Sequence, residues 1–240
     1  MSDPSESIKT QQKRVLSDDD WNKKWETRNI GFHVERVHPL LAEFLNEMQN
    51  GRTKLSIFFP LCGKAVDMKW LADMGHTIVG VDVSELGIKE FFTEQNILYT
   101  EEAVPEIPGG KVFKSASGNI SLYCCSIYNV SSSVIGKFDG IWDRGAMVAV
   151  NPRDRQRYTS VMLPLMAEDC RYLLVTCEYN PKLYKGPPFY VPESELEHLL
   201  GPSCHFKLLK KIDEFTDVQK RWGLDFFSSN LYLITHKSQS

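Results

Sequence analysis

Leu55-Ser-Ile-Phe-Phe59, the turn Pro60-Leu-Cys-Gly-Lys64, and Thr77-Ile-Val-Gly-Val81 running into Asp82 decide the fold. Each of the two apolar runs has the length of a strand. Between them Val66, Trp70, Leu71 and Met74 recur at spacings of three and four, which predicts a helix with that face turned inward. Gly75 stands where a C′ glycine ends such a helix. Strand, helix, strand in this order is a βαβ unit, and its two strands should pair in parallel.

Beyond Asp82 the alternation continues. Ser84 is a candidate N-cap for a helix carrying Ile88, Phe91 and Phe92. Residues 100–118, rich in Pro and Gly, read as a loop or a short hairpin. Ile120–Cys125 and Phe138–Trp142 read as strands. Asn151-Pro152 resembles an N-cap and N1 pair opening a helix with Tyr158, Val161, Met162 and Leu165 inward, which Pro164 should kink or end. Arg171–Cys177 is a nearly continuous apolar strand of the kind buried on both faces. The loop Gly186-Pro-Pro-Phe-Tyr-Val-Pro192 leads to a short helix through Leu196, Leu199 and Leu200. Two last strands, near Cys204–Ile212 and Leu231–Thr235, should pair as an antiparallel edge. The expectation is an α/β fold: an open, mostly parallel sheet with helices on both faces. Residues 1–16 and the last few from Lys237 read as frayed polar tails around one domain over 17–237.

The 240 residues are 42% hydrophobic and 25% charged, an ordinary globular composition that excludes collagen-like and disordered chains. A formal net charge of −3 argues against a nucleic-acid partner, which would favour a basic excess. The six cysteines include no C-x-x-C pair and no zinc-ligand spacing, so they read as reduced thiols in the cytosol and no metal is expected. The polar N-terminus lacks the apolar stretch of a secretion signal, and no apolar run is long enough to span a membrane.

Ligands of open parallel sheets bind outside the carboxyl ends of the strands. The candidate segments are therefore Pro60–Lys64, Asp82–Ser84, Ser126–Tyr128 and Asp143–Gly145, each following a strand. An acid at the end of the second strand suits the two hydroxyls of an adenosine ribose, and a capping or solvated Asp82 is the plain alternative. Pro-Leu-Cys-Gly-Lys holds one glycine and is no G-x-G-x-x-G, so a pyrophosphate would find few close backbone approaches there. A ligand with ribose and adenine but no phosphate fits better: S-adenosylmethionine. Trp21 and Trp25, four apart, share a helical face that either packs on the domain or covers a sulfonium cation. Pro187-Pro-Phe189 invites comparison with the N-P-P-Y loop of amino-nitrogen methyltransferases, but it follows the fifth strand rather than the fourth, which disfavours amine methylation. It is either a stiff surface connection or the wall of a substrate pocket.

Together, Trp21-x3-Trp25-x6-Phe32-His33, Phe58-Phe-Pro-Leu-Cys-Gly-Lys64, Gly80-Val-Asp-Val-Ser-Glu85, Ile141-Trp-Asp-Arg-Gly-Ala146 and Gly186–Pro192 resemble the thiopurine S-methyltransferase family over roughly residues 17–236. The closeness and the N-terminal tail point to its cytosolic mammalian members rather than to bacterial ones. The resemblance implies a class I methyltransferase fold, a Rossmann-like three-layer sandwich with seven strands, the last antiparallel. It implies methyl transfer from S-adenosylmethionine, leaving S-adenosylhomocysteine, to aromatic and heterocyclic thiols such as 6-mercaptopurine. It places Trp21, Trp25, Phe32, Leu61, Gly63, Asp82, Ser126, Ile127 and Arg144 at the cofactor and Phe32, Pro187, Phe189 and Arg221 at the substrate. Arg144 and Arg221 would be the catalytic cations, and a helical segment over about 17–50 would be a lid. A monomer is expected.

For either arginine, a plain surface role is the alternative. No strand-end histidine or carboxylate is free to serve as a general base, and aromatic thiols ionise more readily than a cysteine near 8.5, so a thiolate acceptor needs none. A nicotinamide-dependent oxidoreductase shares the sheet and the acid, but its phosphates would need the missing glycines. A non-catalytic module binding an adenosine ligand and a protein partner is the third reading.

Overall fold

The computed structural model describes Gln11 and residues 15–237, which form two compact units. The larger comprises 17–142 and 161–171. It opens with helices α1 (Asp18–Glu26) and α2 (Pro39–Gln49). Strand β1 (Ser56–Pro60), helix α3 (Asp67–Asp73) and strand β2 (Thr77–Asp82) are the expected βαβ unit, with β1 and β2 paired in parallel from Ser56↔Thr77 to Pro60↔Val81. Helix α4 (Glu85–Glu94), the hairpin β3 (Tyr99–Ala103) and β4 (Lys111–Ser115), strand β5 (Ile120–Cys124), helix α5 (Ser132–Ile135) and strand β6 (Phe138–Arg144) follow. β5 lies parallel to β2, and β6 parallel to β1, so the chain crosses from one side of β1 to the other between β5 and β6. That reversal puts the loops after β1 and β2 at the switch point where such sheets bind ligands.

Nine strands occur among the described residues, where seven were expected. The hairpin β3–β4 accounts for the difference. β4 is antiparallel to β5, and charged pairs link it to β3 on both faces of the hairpin: Lys114–Glu102 at 2.6 Å on one face and Lys111–Glu101 at 2.8 Å on the other, where Lys111 also meets Glu85 of α4 at 3.0 Å.

Local chemistry explains most boundaries. The Ser84 hydroxyl accepts from the Gly87 N–H at 3.1 Å and starts α4, whose Ile88, Phe91 and Phe92 are buried as expected. In α3 the buried face is Asp67, Met68, Leu71 and Ala72, whereas Met74 is 45% exposed and Val66 and Trp70 are only half-buried. The segment carries two apolar stripes, and the sheet took the one through Met68. Pro39 sits at N1 of α2, where its missing N–H costs nothing. That helix buries Leu40, Leu41, Leu45 and Met48, and a Cβ built on Gly140 would lie 2.7 Å from the Met48 sulfur. The helix therefore packs into the core of the larger unit through this face. Full burial of each such side chain contributes roughly 1.5–3 kcal/mol.

The smaller unit comprises 143–160, 172–237 and the described residues up to Leu16. Strand β7 (Met166–Glu178) enters it and pairs antiparallel with β9 (Ser228–His236), which pairs antiparallel with β8 (Cys204–Asp213). Helix α6 (Arg155–Met162) ends before Pro164, and α7 (Glu193–Leu200) buries Leu196, Leu199 and Leu200, both as expected. A short helix α8 (Asp217–Arg221), held by a Thr216–Gln219 capping box, had no expectation attached. Two readings change. Asn151 and Pro152 do stand at N-cap and N1, but of a 3₁₀ turn (Pro152–Asp154) that runs straight into α6, and the Asn151 side chain makes no capping bond because it holds the backbone of Leu16 through two hydrogen bonds. Nor is the tail free at Gln11, which is buried and donates to the Tyr179 hydroxyl at 2.8 Å and the Tyr184 carbonyl at 3.0 Å. Residues 1–10, 12–14 and 238–240 of the expected tails lie outside the described residues. All six cysteines are free thiols, and no described helix is long and apolar enough to cross a membrane.

Candidate functional site

The turn after β1 is wound tightly. Leu61 and Gly63 both have left-handed backbones, φ +46° and +48°, and for leucine that conformation costs about 1–2 kcal/mol. Such strain persists where surrounding contacts impose it, often at ligand sites. Here the Cys62 N–H donates to the Val81 carbonyl at 2.9 Å, and the Gly63 N–H donates to Asp82 Oδ2 at 2.8 Å. The Ser84 N–H donates to Asp82 Oδ1 at 2.8 Å. Asp82 thus ties both loops together, and it is 6% exposed. Burial pushes its carboxyl up to about 6 against the pull of the Ser84 and Gly63 N–H groups, and the Asp18 charge adds to the rise.

Two consequences follow for a ligand. A carboxylate offers about four acceptor positions, so Asp82, with two used, keeps acceptor capacity for a pair of hydroxyls. The loop N–H groups of Cys62 and Gly63 are already spent, so they cannot cradle phosphate. Lys64 is spent as well: its ammonium pairs with Glu90 at 2.9 Å and Glu94 at 2.6 Å on α4. These residues fit a ribose without a pyrophosphate, as an adenosylmethionine ligand presents, and not a dinucleotide.

Helix α1 lies against this loop. Ser17 and Asp20 form a capping box, with three acids in the first turn and Lys23 and Lys24 in the last, matching the helix dipole. Trp25 is buried, and a Cβ built on Gly63 would fall 2.8 Å from its ring. Gly63 is therefore required twice, for its backbone and for the ring above it. Phe32, 38% exposed, meets Trp21 and Trp25 edge-on at 5.8 and 5.7 Å. Arg28 pairs with Glu90, which joins the segment to the Lys64 network. The sequence reading missed Asp18, Arg28, Glu90 and Glu94; the charge pattern of α4 was a signal only for Glu90 and Glu94. On the strand β5 side, Ile127 is buried, and Ser126, half-buried, precedes a 3₁₀ turn.

In the smaller unit, Arg144 ends β6, half-buried, between Asp143 and Gly145, whose φ of +91° favours glycine. In the proline loop the Tyr184 hydroxyl donates to the Pro187 carbonyl and the Tyr179 hydroxyl to the Pro188 carbonyl, each at 2.7 Å. Phe189, expected at the substrate, is instead fully buried beneath Gly186, where a Cβ would meet its ring. It presents no surface to a ligand. The open aromatic surface comes from Tyr184 and Trp222, both half-buried and stacked at 4.7 Å and 7°. Arg221 is exposed at the end of α8. Among the described residues no group of His, Cys, Asp or Glu could hold a metal ion.

The family model for Thiopurine S-methyltransferase (TPMT) matches residues 16–237. Thiopurine S-methyltransferases of dog (Canis lupus familiaris) and rat (Rattus norvegicus) are each 55% identical over 227 residues, which is 95% of this chain and 93% and 95% of theirs. A probable thiopurine S-methyltransferase of zebrafish (Danio rerio) is 54% identical over 232 residues, 97% of this chain and all of its own. Among solved structures, Burkholderia thailandensis 1,6-didemethyltoxoflavin-N1-methyltransferase with S-adenosylhomocysteine has a TM-score of 0.59 at 15% identity, covering 98% of this chain and 92% of that one. Magnesium protoporphyrin IX methyltransferase from Synechocystis with bound SAM has a TM-score of 0.56 at 15% identity, covering 92% and 98%. At those identities the structural likeness shows the class I methyltransferase fold. The match along nearly the whole chain shows more: this protein belongs to the thiopurine S-methyltransferase family.

Proposed function

We propose that the protein methylates the sulfur of aromatic and heterocyclic thiols, thiopurines such as 6-mercaptopurine among them, using S-adenosylmethionine. The observation that carries this reading is the family match over residues 16–237. The Asp82 geometry supports the cofactor independently of it. When bound, S-adenosylmethionine supplies a methyl group on an electrophilic sulfonium sulfur.

The chain's own residues would hold, cover and orient. Asp82 would take the ribose hydroxyls, and Leu61, Gly63, Ser126 and Ile127 would line the nucleoside side. Trp21, Trp25 and Phe32 would shield the cation with aromatic faces. Arg144 would favour the acceptor as an anion, and Tyr184 and Trp222 offer a flat surface to an aromatic ring. Arg221 remains a second candidate cation. Alignment of the reactants supplies most of the acceleration in a displacement of this kind, so no side chain has to accept a proton from an ionised thiol. We read the protein as a cytosolic monomer; its free thiols suit a reducing compartment.

Calorimetry with S-adenosylhomocysteine and with NAD separates this reading from an oxidoreductase. Methyl transfer to thiosalicylic acid then separates an enzyme from a binding module. Binding of the homocysteine product with no methylation of any aromatic thiol would refute the proposal.

The covering segment carries its own expectation. Trp25 packing and the Arg28–Glu90 pair tie it to the loop, with Lys23 and Arg28 exposed. Trypsin should cut after Lys23, Lys24 or Arg28 in the free protein, and S-adenosylhomocysteine should protect those bonds. Equal cleavage rates with and without ligand would contradict a covering role.

A further inference from the structure

Asp143 is fully buried, with 0% exposure, yet it is an acid immediately before the arginine that ends β6. A buried carboxylate persists only when its oxygens are satisfied. Here Oδ2 accepts from the Tyr172 hydroxyl at 2.6 Å and the Tyr158 hydroxyl at 2.7 Å, and Oδ1 accepts from the Met147 N–H at 3.0 Å. Tyr158 is on α6, Tyr172 on β7, and Met147 is in the turn that follows the strand. Both tyrosine rings are buried, at 0 and 1% exposure. Three elements thus converge on one carboxylate.

The turn is held at its far end too, where the Phe189 N–H donates to the Val148 carbonyl at 2.7 Å. Within it Gly145 takes a left-handed backbone although nothing lies within 4 Å of where its Cβ would be. Its glycine is thus required by the bend and not by crowding. Residue 144 is therefore caught between a three-point anchor and a fixed bend. Its backbone direction at the strand end is set by groups that meet no solvent.

We propose that Asp143, Tyr158 and Tyr172 are positioning residues for Arg144, fixing how its guanidinium is presented to the acceptor. The inference rests on Arg144 as the cation that favours the thiolate. Tyrosine rather than phenylalanine is needed because the two hydroxyls supply both bonds to Oδ2, leaving only the Met147 N–H on Oδ1 if they are removed. A misdirected guanidinium loses most where the acceptor most needs a positive charge to ionise.

The experiment uses the full chain with Tyr158→Phe and Tyr172→Phe, singly and together, in the native and Arg144→Ala backgrounds. kcat/KM is measured for thiophenols of rising pKa, alongside S-adenosylhomocysteine affinity and melting temperature. Phenylalanine keeps the ring volume, and the single variants serve if the double one does not fold. Displacements of about an ångström can cost up to about a hundredfold, so a loss of roughly ten- to a hundredfold is expected for the double variant. That loss should grow with thiol pKa, leave homocysteine affinity unchanged, and shrink to less than about twofold once Arg144 is alanine. The same proportional loss in both backgrounds, or one equal for every thiol, would overturn the proposal and leave the network a structural one. Full activity of Arg144→Ala would overturn it as well. A native enzyme that binds the homocysteine product but methylates no thiol would remove the functional reading itself, before any variant is compared.

Discussion

Asp82→Ala weakens S-adenosylhomocysteine binding by about ten- to a hundredfold or more, because hydrogen bonds to a charged group contribute about 1.5–3 kcal/mol each. The structure adds a second effect. Asp82 also accepts from the Gly63 and Ser84 N–H groups, so alanine strands two backbone donors in a buried place. Each such donor costs about 1–3 kcal/mol, so the variant should melt earlier while remaining folded. Asp82→Asn is no gentle control, since its NH₂ must face one of those two N–H groups. Affinity should also depend on pH. With the free carboxyl titrating near 6 and the ribose favouring the ionised form, binding tightens as pH rises through about 6 and levels off above it. An unchanged dissociation constant in Asp82→Ala, measured by calorimetry, would return the residue to a purely loop-bracing role.

The second large effect is expected at Arg144. Arg144→Ala should lower kcat/KM more for thiols of higher pKa, which depend most on a neighbouring cation to ionise. Arg144→Lys should recover only part of the loss, since a point charge lacks the planar fork of the guanidinium. The check is the slope of log kcat/KM against acceptor pKa in the three proteins. Parallel lines would show that Arg144 binds or packs without influencing the ionisation of the acceptor.

What could be read from the chain depended on whether the signal was local. In α4 the cap Ser84 and the single apolar stripe through Ile88, Phe91 and Phe92 agree, and the structure follows them. In α3 two stripes compete within a few residues, and only packing against the sheet selects Met68 over Met74. The β3–β4 hairpin was legible only as one of two alternatives, a loop or a short hairpin over 100–118, because its Glu and Lys residues break the apolar alternation that marks a half-buried strand. Asp82 was legible because it ends a strand and follows the Gly63 turn. Phe189 was not, because burial beneath Gly186 depends on a backbone path that composition does not encode. The Asp143 anchor was equally silent: its tyrosines lie 15 and 29 residues away, beyond any local pattern. The Asn151-Pro152 pair was legible as a helix start, but not the bond by which Leu16, 135 residues earlier, takes the side chain that would have capped it.

In this mechanism the acceptor reacts as a thiolate, and no protein group takes its proton. A pH–rate series over para-substituted thiophenols tests it most directly. If the claim holds, the acid limb of kcat/KM moves with the pKa of each thiol as its substituent changes. An acid limb fixed at one pKa for every substrate would reveal a titrating group of the enzyme and contradict the mechanism.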